Sequence, residues 1–491
     1  MAAKDFLKNN ISLILALICF LYLTQLTIFG IRADVWFDPA FSLETVHKMK
    51  TESIQWKSYD VNPPLFYYTL YGWMGLNPGV LEEYWGRELS VLFGILFIIF
   101  AYFSLKELFG KAGEYATILL ALSTTYIEYG VEIRGYSLAL FFSALCLWGI
   151  VYSKKYKKTL IVSGVVLFLL PFVHYYAAMA TFFFAFMYLV YCWEEEGVLK
   201  RTGMMLILGI AGMIIAYIMF ARPQMMHIVG IWPDTDFSIF PSALISSFYY
   251  ILDVAIIRSS HFGWIKFIVI VSYFGMFVLL GAYSWELFKW LYKLKYEVTK
   301  RKAMLMVMCA SAFFPLVVLM ILMVYKVLPS YHHRYFLVVL WMFAAATYVL
   351  LAEWLMKRKT RIFLIGLLLL FGLIFYAFYV SSNHDLQMLG KQIPCYPVMV
   401  VHESPFSYSP LEVLNREYGC GWTSVISTNM TRKQASGMGL DVVDEDKVYW
   451  NQTFPDGPLY IVHADENHTL PNRTTVEVYD GDGVSLLYVE G

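Results

Sequence analysis

The sequence predicts an α-helical polytopic membrane protein with about 11–13 transmembrane helices and a small C-terminal α/β domain outside the membrane. Of its 491 residues, 59% are hydrophobic and only 15% are charged, and the mean hydropathy is +0.58. Soluble domains average about 25% charged residues, so this composition indicates a membrane protein. Long apolar stretches recur over 1–380, the predicted membrane domain, and are absent from 381–491, the predicted exterior domain.

Apolar segments near the length of about 20 residues that crosses a bilayer define the predicted helices. Segments 64–78 and 240–257 are interrupted by Pro, Gly and polar residues, which favours an interfacial or re-entrant position. The first of the long segments lacks a small-residue cleavage site and is predicted to be a retained anchor. The predicted crossings are 11–31, 89–107, 113–127, 135–152, 159–173, 175–192, 203–221, 265–286, 303–325, 335–355 and 361–380.

Lys and Arg concentrate in alternate loops, and this bias predicts the orientation. Basic loops at 154–158, 289–302 and 356–361 fall on the side of the N-terminus when the chain crosses a cell membrane eleven times. The N-terminus is therefore predicted to be cytoplasmic, and the C-terminal domain exterior. The first outer loop, with its interfacial helices, is predicted over 32–88.

Polar residues gather at the outer ends of the predicted helices. Taken singly, each reads more readily as a helix cap or an interfacial belt residue. Together they indicate a site, because ionisable groups at membrane depth are costly and tend to mark function. The guanidinium groups of Arg87 and Arg134 offer paired donors that suit a phosphate, so we expect an anionic lipid head group at the outer surface. The other residues of these turns are Glu132, Tyr136, His174, Tyr175, Arg334 and Tyr335.

Five short motifs follow one another between about residues 36 and 180: "WFDPAFSL", "NPPLFYYTL", "RELSVLFG", "EYGVEIRGYSLAL" and "HYYAA". Their order and spacing resemble the polyprenyl-phosphate-sugar-dependent glycosyltransferases of the GT-C superfamily. The most similar group is glycosyltransferase family 39, which includes protein O-mannosyltransferases and the lipid A aminoarabinose transferase. The resemblance covers the first 220 residues, is weaker through "HHRYFLVVLW" and does not extend to the tail.

The resemblance implies a GT-C fold and a hexosyl- or pentosyltransferase acting at the outer face with inversion. Asp38 would be the general base, Arg87 and Arg134 would bind the donor phosphate, and Glu132 would hold Arg134. The acceptor would be a protein, a lipid or a glycan, and the other partners are membrane lipids and not nucleic acid. Residues expected to line the site are Asn62, Glu132, Tyr136, His174, Tyr175, Arg334 and Tyr335.

Two positions depart from the family pattern. Pro39 stands where the family has a Glu, and Asn62 stands where a His or Lys often precedes the Pro pair. No carboxylate or His cluster has metal-ligand spacing, so no obligate metal or other cofactor is predicted, although some superfamily members use divalent ions. A secondary transporter and a non-catalytic lipid-binding protein stay open as alternatives, and Pro39 favours the second.

The tail reads as alternating strands and turns. "YPVMVVHES" and "GPLYIVHAD" are predicted strands, "PLEVLNREYG" is a predicted short helix, and the last 18 residues predict a hairpin around Asp-Gly. Cys395 and Cys420 are candidates for a disulfide if the compartment is oxidising. Four N-glycosylation sequons, at Asn429, Asn451, Asn467 and Asn472, agree with an exposed domain.

Overall fold

A computed structural model describes the helical part of the chain and the backbone of six strands in the tail. Asp38, Arg334, Tyr335, Cys395 and Cys420 lie outside the described residues, as do the predicted crossings at 265–286 and 361–380. The described residues are 10–25, 27–28, 42–43, 45–47, 49, 62–223, 300–311, 337–356, 399–402, 423–427, 442–443, 459–463, 475–481 and 484–489.

The described part of the membrane domain consists of α-helices joined by short turns. Two 3₁₀ turns, Leu170–Phe172 and Tyr175–Met179, lie between α7 and α8, and α9 continues into a π turn at Tyr217–Ala221. The helices are α1 (Ile11–Gln25), α2 (Leu65–Met74), α3 (Glu82–Phe109), α4 (Lys111–Ala121), α5 (Thr124–Val131), α6 (Tyr136–Tyr152), α7 (Thr159–Leu169), α8 (Ala180–Tyr191), α9 (Val198–Ala216), α10 (Lys300–Ala310) and α11 (Leu337–Met356).

Helix α3 is the centre of the packing and contacts α1, α2, α4, α5 and α6. Its Phe97 is buried against the edge of Trp341 from α11, with ring centroids 5.3 Å apart. The Trp341 indole donates a hydrogen bond to Ser143 of α6 (2.6 Å), and Ser143 donates to the Val338 carbonyl (2.6 Å). These bonds satisfy polar groups that would be costly inside an apolar core.

The predicted crossing at 113–127 is broken in the structure. Helix α4 ends at Ala121, Ser123 is extended (φ −73°, ψ 128°), and α5 begins at Thr124. The run Ser-Thr-Thr explains the break, because these side chains compete for backbone hydrogen bonds and are favoured at helix ends. Hydropathy alone does not register this change, because the sequence stays apolar on both sides.

The helical membrane fold is confirmed by the apolar helices. Within the described ranges, α3 and the helix Val198–Ala221 are long and apolar enough to cross a bilayer. The pair Thr125–Val131 and Tyr136–Tyr152 would make a third span, bent by 117°. Helix α2, with 10 residues, is shorter than the about 20 that a crossing needs. Eleven crossings and the orientation of the termini stay predictions.

Small residues let neighbouring helices approach closely, as is usual in membrane proteins. At Gly212 of α9, a Cβ atom would lie 2.2 Å from the backbone carbonyl oxygen of Phe168 in α7. At Gly203 of the same helix, a Cβ atom would meet nothing within 4 Å. Gly212 is therefore needed for the contact between α7 and α9, and Gly203 is not.

The strands of the tail form one six-stranded sheet in the order β3-β2-β1-β4-β6-β5. The first four strands in the chain, β1 (Met399–His402), β2 (Thr423–Ser427), β3 (Val442–Val443) and β4 (Leu459–His463), pair in parallel. The last two, β5 (Thr475–Gly481) and β6 (Val484–Val489), form an antiparallel hairpin whose strands are separated by Asp482 and Gly483. The predicted strands and hairpin are confirmed, and the predicted short helix lies outside the described residues.

We expect Gly212→Ala to lower the melting temperature of the detergent-solubilised protein. The added methyl must move a backbone, and such overpacking costs about 1–3 kcal/mol. Gly203→Ala is the matched control, since it adds the same methyl to the same helix in open space and gains up to about 1 kcal/mol of helix propensity. Equal melting temperatures for the two variants would contradict the close approach of α7 and α9.

Candidate functional site

A small polar pocket lies where the start of α2 meets the turn between α5 and α6 and the turn before Tyr175. It is narrow and partly open to the surroundings. Four residues named from the sequence line it together: Asn62, Arg134, Tyr136 and His174. The remaining lining residues are Pro63, Phe66, Tyr67, Gly135 and Val173. None of the described residues lining this pocket is acidic.

The turn between α5 and α6 is a tight bend. Glu132 is extended (φ −75°, ψ 129°), and its carbonyl accepts a hydrogen bond from the Arg134 amide (2.8 Å). Such a three-residue turn reverses the chain quickly, and α6 begins at Tyr136. The bend therefore places Glu132, Arg134 and Tyr136 within five residues at the junction of two apolar helices.

Helix α3 holds the bend in place through its side chains. Ser90 donates a hydrogen bond to the Glu132 carbonyl (2.6 Å), and Arg87 donates to the Val131 carbonyl (3.3 Å). A break in a membrane helix leaves backbone carbonyls without their helical donors, and leaving such groups unsatisfied costs several kcal/mol. These two α3 residues supply the missing donors.

The side chain between the two charged residues of the bend anchors it by apolar packing. Ile133 is fully buried, and a Cβ atom at Gly86 of α3 would lie 3.1 Å from its Cδ1 atom. Ile133 belongs to a second hydrophobic cluster with Phe66 and Leu70 of α2 and Val173. This cluster lies directly beside the pocket, so the same residues that bury Ile133 also support the pocket wall.

Arg134 reaches the pocket as a buried cation. Its residue is 6% exposed, and its Nη1 atom donates a hydrogen bond to the Tyr67 hydroxyl (2.6 Å). The sequence motif "NPPLFYYTL" pointed to this segment, but Tyr67 itself was not singled out. The sequence signal for Tyr67 is the Pro pair, because it fixes where α2 begins. The start of the helix in turn fixes the direction of the side chain one turn later. The Arg134 amide also donates to the Glu132 carbonyl.

Arg87, which the resemblance assigns to the donor phosphate, lies on α3 beside the bend. It forms a buried ion pair with Glu83, Nη2 to Oε1 at 2.9 Å, and its Nε atom donates to the same oxygen at 3.0 Å. Both side chains are about 5% exposed or less, and Arg87 is not among the residues that line the pocket. The i,i+4 spacing of Glu83 and Arg87 on a helix is the sequence signal for this pair.

His174 enters the pocket from the turn before α8. Pro171 lies within the 3₁₀ turn Leu170–Phe172, after which His174 has an extended backbone (φ −158°, ψ 126°) and a buried side chain. Its imidazole lies 5.7 Å from the Tyr136 ring. Tyr175 is half-buried and does not line the pocket. The structure thus brings His174 and Tyr136 together and leaves Tyr175 at the edge.

The lining of the pocket is chemically suited to binding an anion. Its described lining offers a guanidinium, an imidazole, a side-chain amide and two phenols. Hydrogen-bond donors around a partly desolvated cation favour an anionic ligand. Within the described residues, no three His, Cys, Asp or Glu side chains are grouped so that they could hold a metal ion.

Comparison with solved structures finds several structures of an oligosaccharyltransferase from the archaeon Archaeoglobus fulgidus. One structure, in complex with zinc and sulfate, gives a TM-score of 0.48 at 13% identity over 84% of this chain and 62% of that one. The oligosaccharyltransferase AglB, with an inhibitory peptide and a dolichol-phosphate, gives 0.44 at 14% over 83% and 64%. A third, tethered to an acceptor peptide containing the NVT sequon, gives 0.47 at 13% over 86% and 64%.

This chain therefore spans less than two thirds of the length of these three archaeal structures. No protein-family model and no curated protein sequence matches it. With identities of 13–14% and TM-scores below 0.5, the argument for function rests on the residues of this chain.

Ser90→Ala should loosen the bend between α5 and α6. The Glu132 carbonyl keeps its bond from the Arg134 amide but loses the Ser90 hydroxyl, so we expect a stability loss of about 1 kcal/mol. Hydrogen exchange of the amides at 132–135 should accelerate as well. Mass spectrometry of exchange and thermal unfolding in detergent measure the two effects.

The matched control is Ser104→Ala. Ser104 is also buried on α3, but its hydroxyl bonds to the Phe100 carbonyl of the same helix (2.7 Å). Its removal should leave exchange at 132–135 unchanged. If the two variants behave alike at the bend, Ser90 does not hold it.

Proposed function

We propose that this chain is a membrane glycosyltransferase that takes a sugar from a polyprenyl-phosphate-linked donor at the outer face of the membrane. The observation that carries the proposal is Arg134, a buried guanidinium oriented by Tyr67 in a pocket that also holds His174 and Asn62. A guanidinium offers paired donors in a fixed geometry that matches phosphate oxygens. An anionic head group is therefore the ligand class that suits this pocket.

The chemistry of the lining supports a phosphate as the group that binds at the pocket. Its guanidinium, imidazole, amide and phenol groups are hydrogen-bond donors from which phosphate oxygens can accept. In the proposal the phosphate is held at the pocket, with the sugar and the lipid chain outside it.

In the proposed reaction, an acceptor hydroxyl attacks the anomeric carbon of the donor sugar. The new bond joins the acceptor oxygen to that carbon while the bond from the carbon to the phosphate oxygen breaks, which inverts the configuration. Asp38 takes the hydroxyl proton, and polyprenyl phosphate leaves with the bonding electron pair. Arg134 stabilises the negative charge that grows on the leaving phosphate, the type of interaction that lowers a barrier most.

The remaining residues take supporting roles in the proposal. Asn62, Tyr136 and His174 provide hydrogen bonds inside the pocket. Tyr175, Arg334 and Tyr335 stay proposed lining residues by resemblance, and Glu132 is proposed to orient Arg134. Arg87, paired with Glu83, contributes through the bend that carries Arg134.

Arg134→Ala should weaken binding of a polyprenyl-phosphate sugar severely, because it removes a charge-assisted hydrogen bond worth about 1.5–3 kcal/mol. Arg134→Lys should restore only part of the loss, since lysine keeps the charge but not the planar fork. Tyr67→Phe should give a milder defect, and Tyr67→Phe with Arg134→Ala should bind no more weakly than Arg134→Ala alone. Binding to the detergent-solubilised full chain is the measurement.

Tyr71→Phe is the matched control for Tyr67→Phe. It lies one turn further along α2 and is 43% exposed, so the same loss of a hydroxyl should not change donor affinity. Unchanged affinity in all the Arg134 and Tyr67 variants would remove the phosphate from this pocket.

Asp38→Asn should abolish sugar transfer while donor binding persists. General base catalysis is worth about 10²- to 10⁴-fold, so less than a tenth of the wild-type turnover is expected. Transfer of labelled sugar from a panel of polyprenyl-phosphate donors measures it. A wild-type chain that binds donor but transfers no sugar would instead indicate the non-catalytic lipid-binding alternative.

A further inference from the structure

Two tryptophans join the helix that carries Tyr67 to the helix that holds the bend. Trp73 of α2 and Trp85 of α3 are stacked, with ring centroids 4.6 Å apart and planes 11° from parallel. The bonds between them are reciprocal: Trp73 Nε1 donates to the Trp85 carbonyl (2.7 Å), and Trp85 Nε1 donates to the Trp73 carbonyl (2.8 Å). We call these two residues the tryptophan pair.

The chain between the two tryptophans is a compact turn. The Asn77 side chain accepts hydrogen bonds from the amides of Gly79 and Val80, both at 3.0 Å, and donates to the Val80 carbonyl (2.9 Å). Gly79 has a positive φ of 97°, which other residues adopt at a cost. Helix α2, the turn and the start of α3 are thus joined by side-chain bonds at both the turn and the tryptophan pair.

The position of this connection matters for the pocket. Tyr67 lies six residues before Trp73 on α2, about 9 Å along the helix axis. Arg87 and Ser90, which hold the bend, lie within the two turns of α3 that follow Trp85. A contact between Tyr67 and Arg134 therefore requires that α2 keep a fixed position relative to α3, and the tryptophan pair joins those helices at the far end of α2.

The burial pattern shows what else fixes α2. Its buried face consists of Phe66, Tyr67, Leu70 and Met74, whereas Tyr68 and Tyr71 are exposed. Apolar packing alone is non-directional and allows a short helix to rotate or slide. The reciprocal hydrogen bonds of the indoles are directional and set the register of the helix.

We propose that the tryptophan pair is a positioning element for the phosphate site: Trp73 and Trp85 fix α2 so that the Tyr67 hydroxyl meets the Arg134 guanidinium. The proposal rests on the function proposed above and adds residues that do not line the pocket. Both indoles act through Tyr67, and neither touches the donor.

The test uses Trp73→Phe and Trp85→Phe in the full chain, with polyprenyl monophosphate as the probe. Each change keeps an aromatic ring but removes one indole donor. Affinity should fall roughly three- to tenfold, the range that the net free energy of one hydrogen bond corresponds to. Adding Tyr67→Phe to either variant should cause no further loss, because both act on the same contact. Trp193→Phe is the control, since Trp193 is 66% exposed and has no part in the pair.

Two further readouts separate positioning from general stability. The circular dichroism signal of two stacked indoles should disappear in both variants and persist in Trp193→Phe. Hydrogen exchange over 65–74 should accelerate in both. Faster exchange with unchanged affinity, or losses that add to that of Tyr67→Phe, would overturn the proposal. Arg134→Ala in the same assay tests the phosphate site itself: if that variant binds like the wild type, the proposed function fails, whatever the tryptophan variants show.

Discussion

The candidate site depends on two hydrogen bonds from α3 to the bend, which the carbonyl oxygens of Val131 and Glu132 accept. A bend of 117° between apolar helices removes the helical donors of its own backbone. The residues of the bend are buried, so other protein groups must replace those donors. Arg87 and Ser90 supply the donors. Glu83 pairs with Arg87 and offsets the cost of burying that charge.

This arrangement gives different surroundings to two arginines that look alike in the sequence. Arg87 pairs with a carboxylate one helical turn earlier and donates to the backbone of the bend, and it is not among the residues that line the pocket. Arg134 lines the pocket and donates to the Tyr67 hydroxyl there. In the proposed function, the anionic ligand would therefore meet Arg134 rather than Arg87.

Much of the helical fold, and the candidate residues that meet at the pocket, could be predicted from the sequence. Hydropathy found the apolar segments, and the polar turns at "VEIRGY" and "HYY" indicated residues that meet at one pocket. The break after Ala121 was missed because Ser and Thr are tolerated both inside helices and at their ends. Tyr67 could not be picked out because α2 carries aromatic residues on both its buried face and its exposed face. The sequence does not show which of these aromatic side chains points towards Arg134.

The distribution of charge around the pocket bears on how a leaving phosphate could be stabilised. A sugar joined to polyprenyl phosphate is a phosphodiester with one negative charge, and its departure leaves a phosphomonoester with about 1.5–2 charges at neutral pH. In the proposed reaction the demand for positive charge therefore rises as the bond breaks. Arg134 and the other hydrogen-bond donors that line the pocket, including His174, would interact more strongly with the more highly charged leaving phosphate than with the donor. A site that gains attraction along the reaction stabilises the transition state more than the substrate, which is the condition for catalysis.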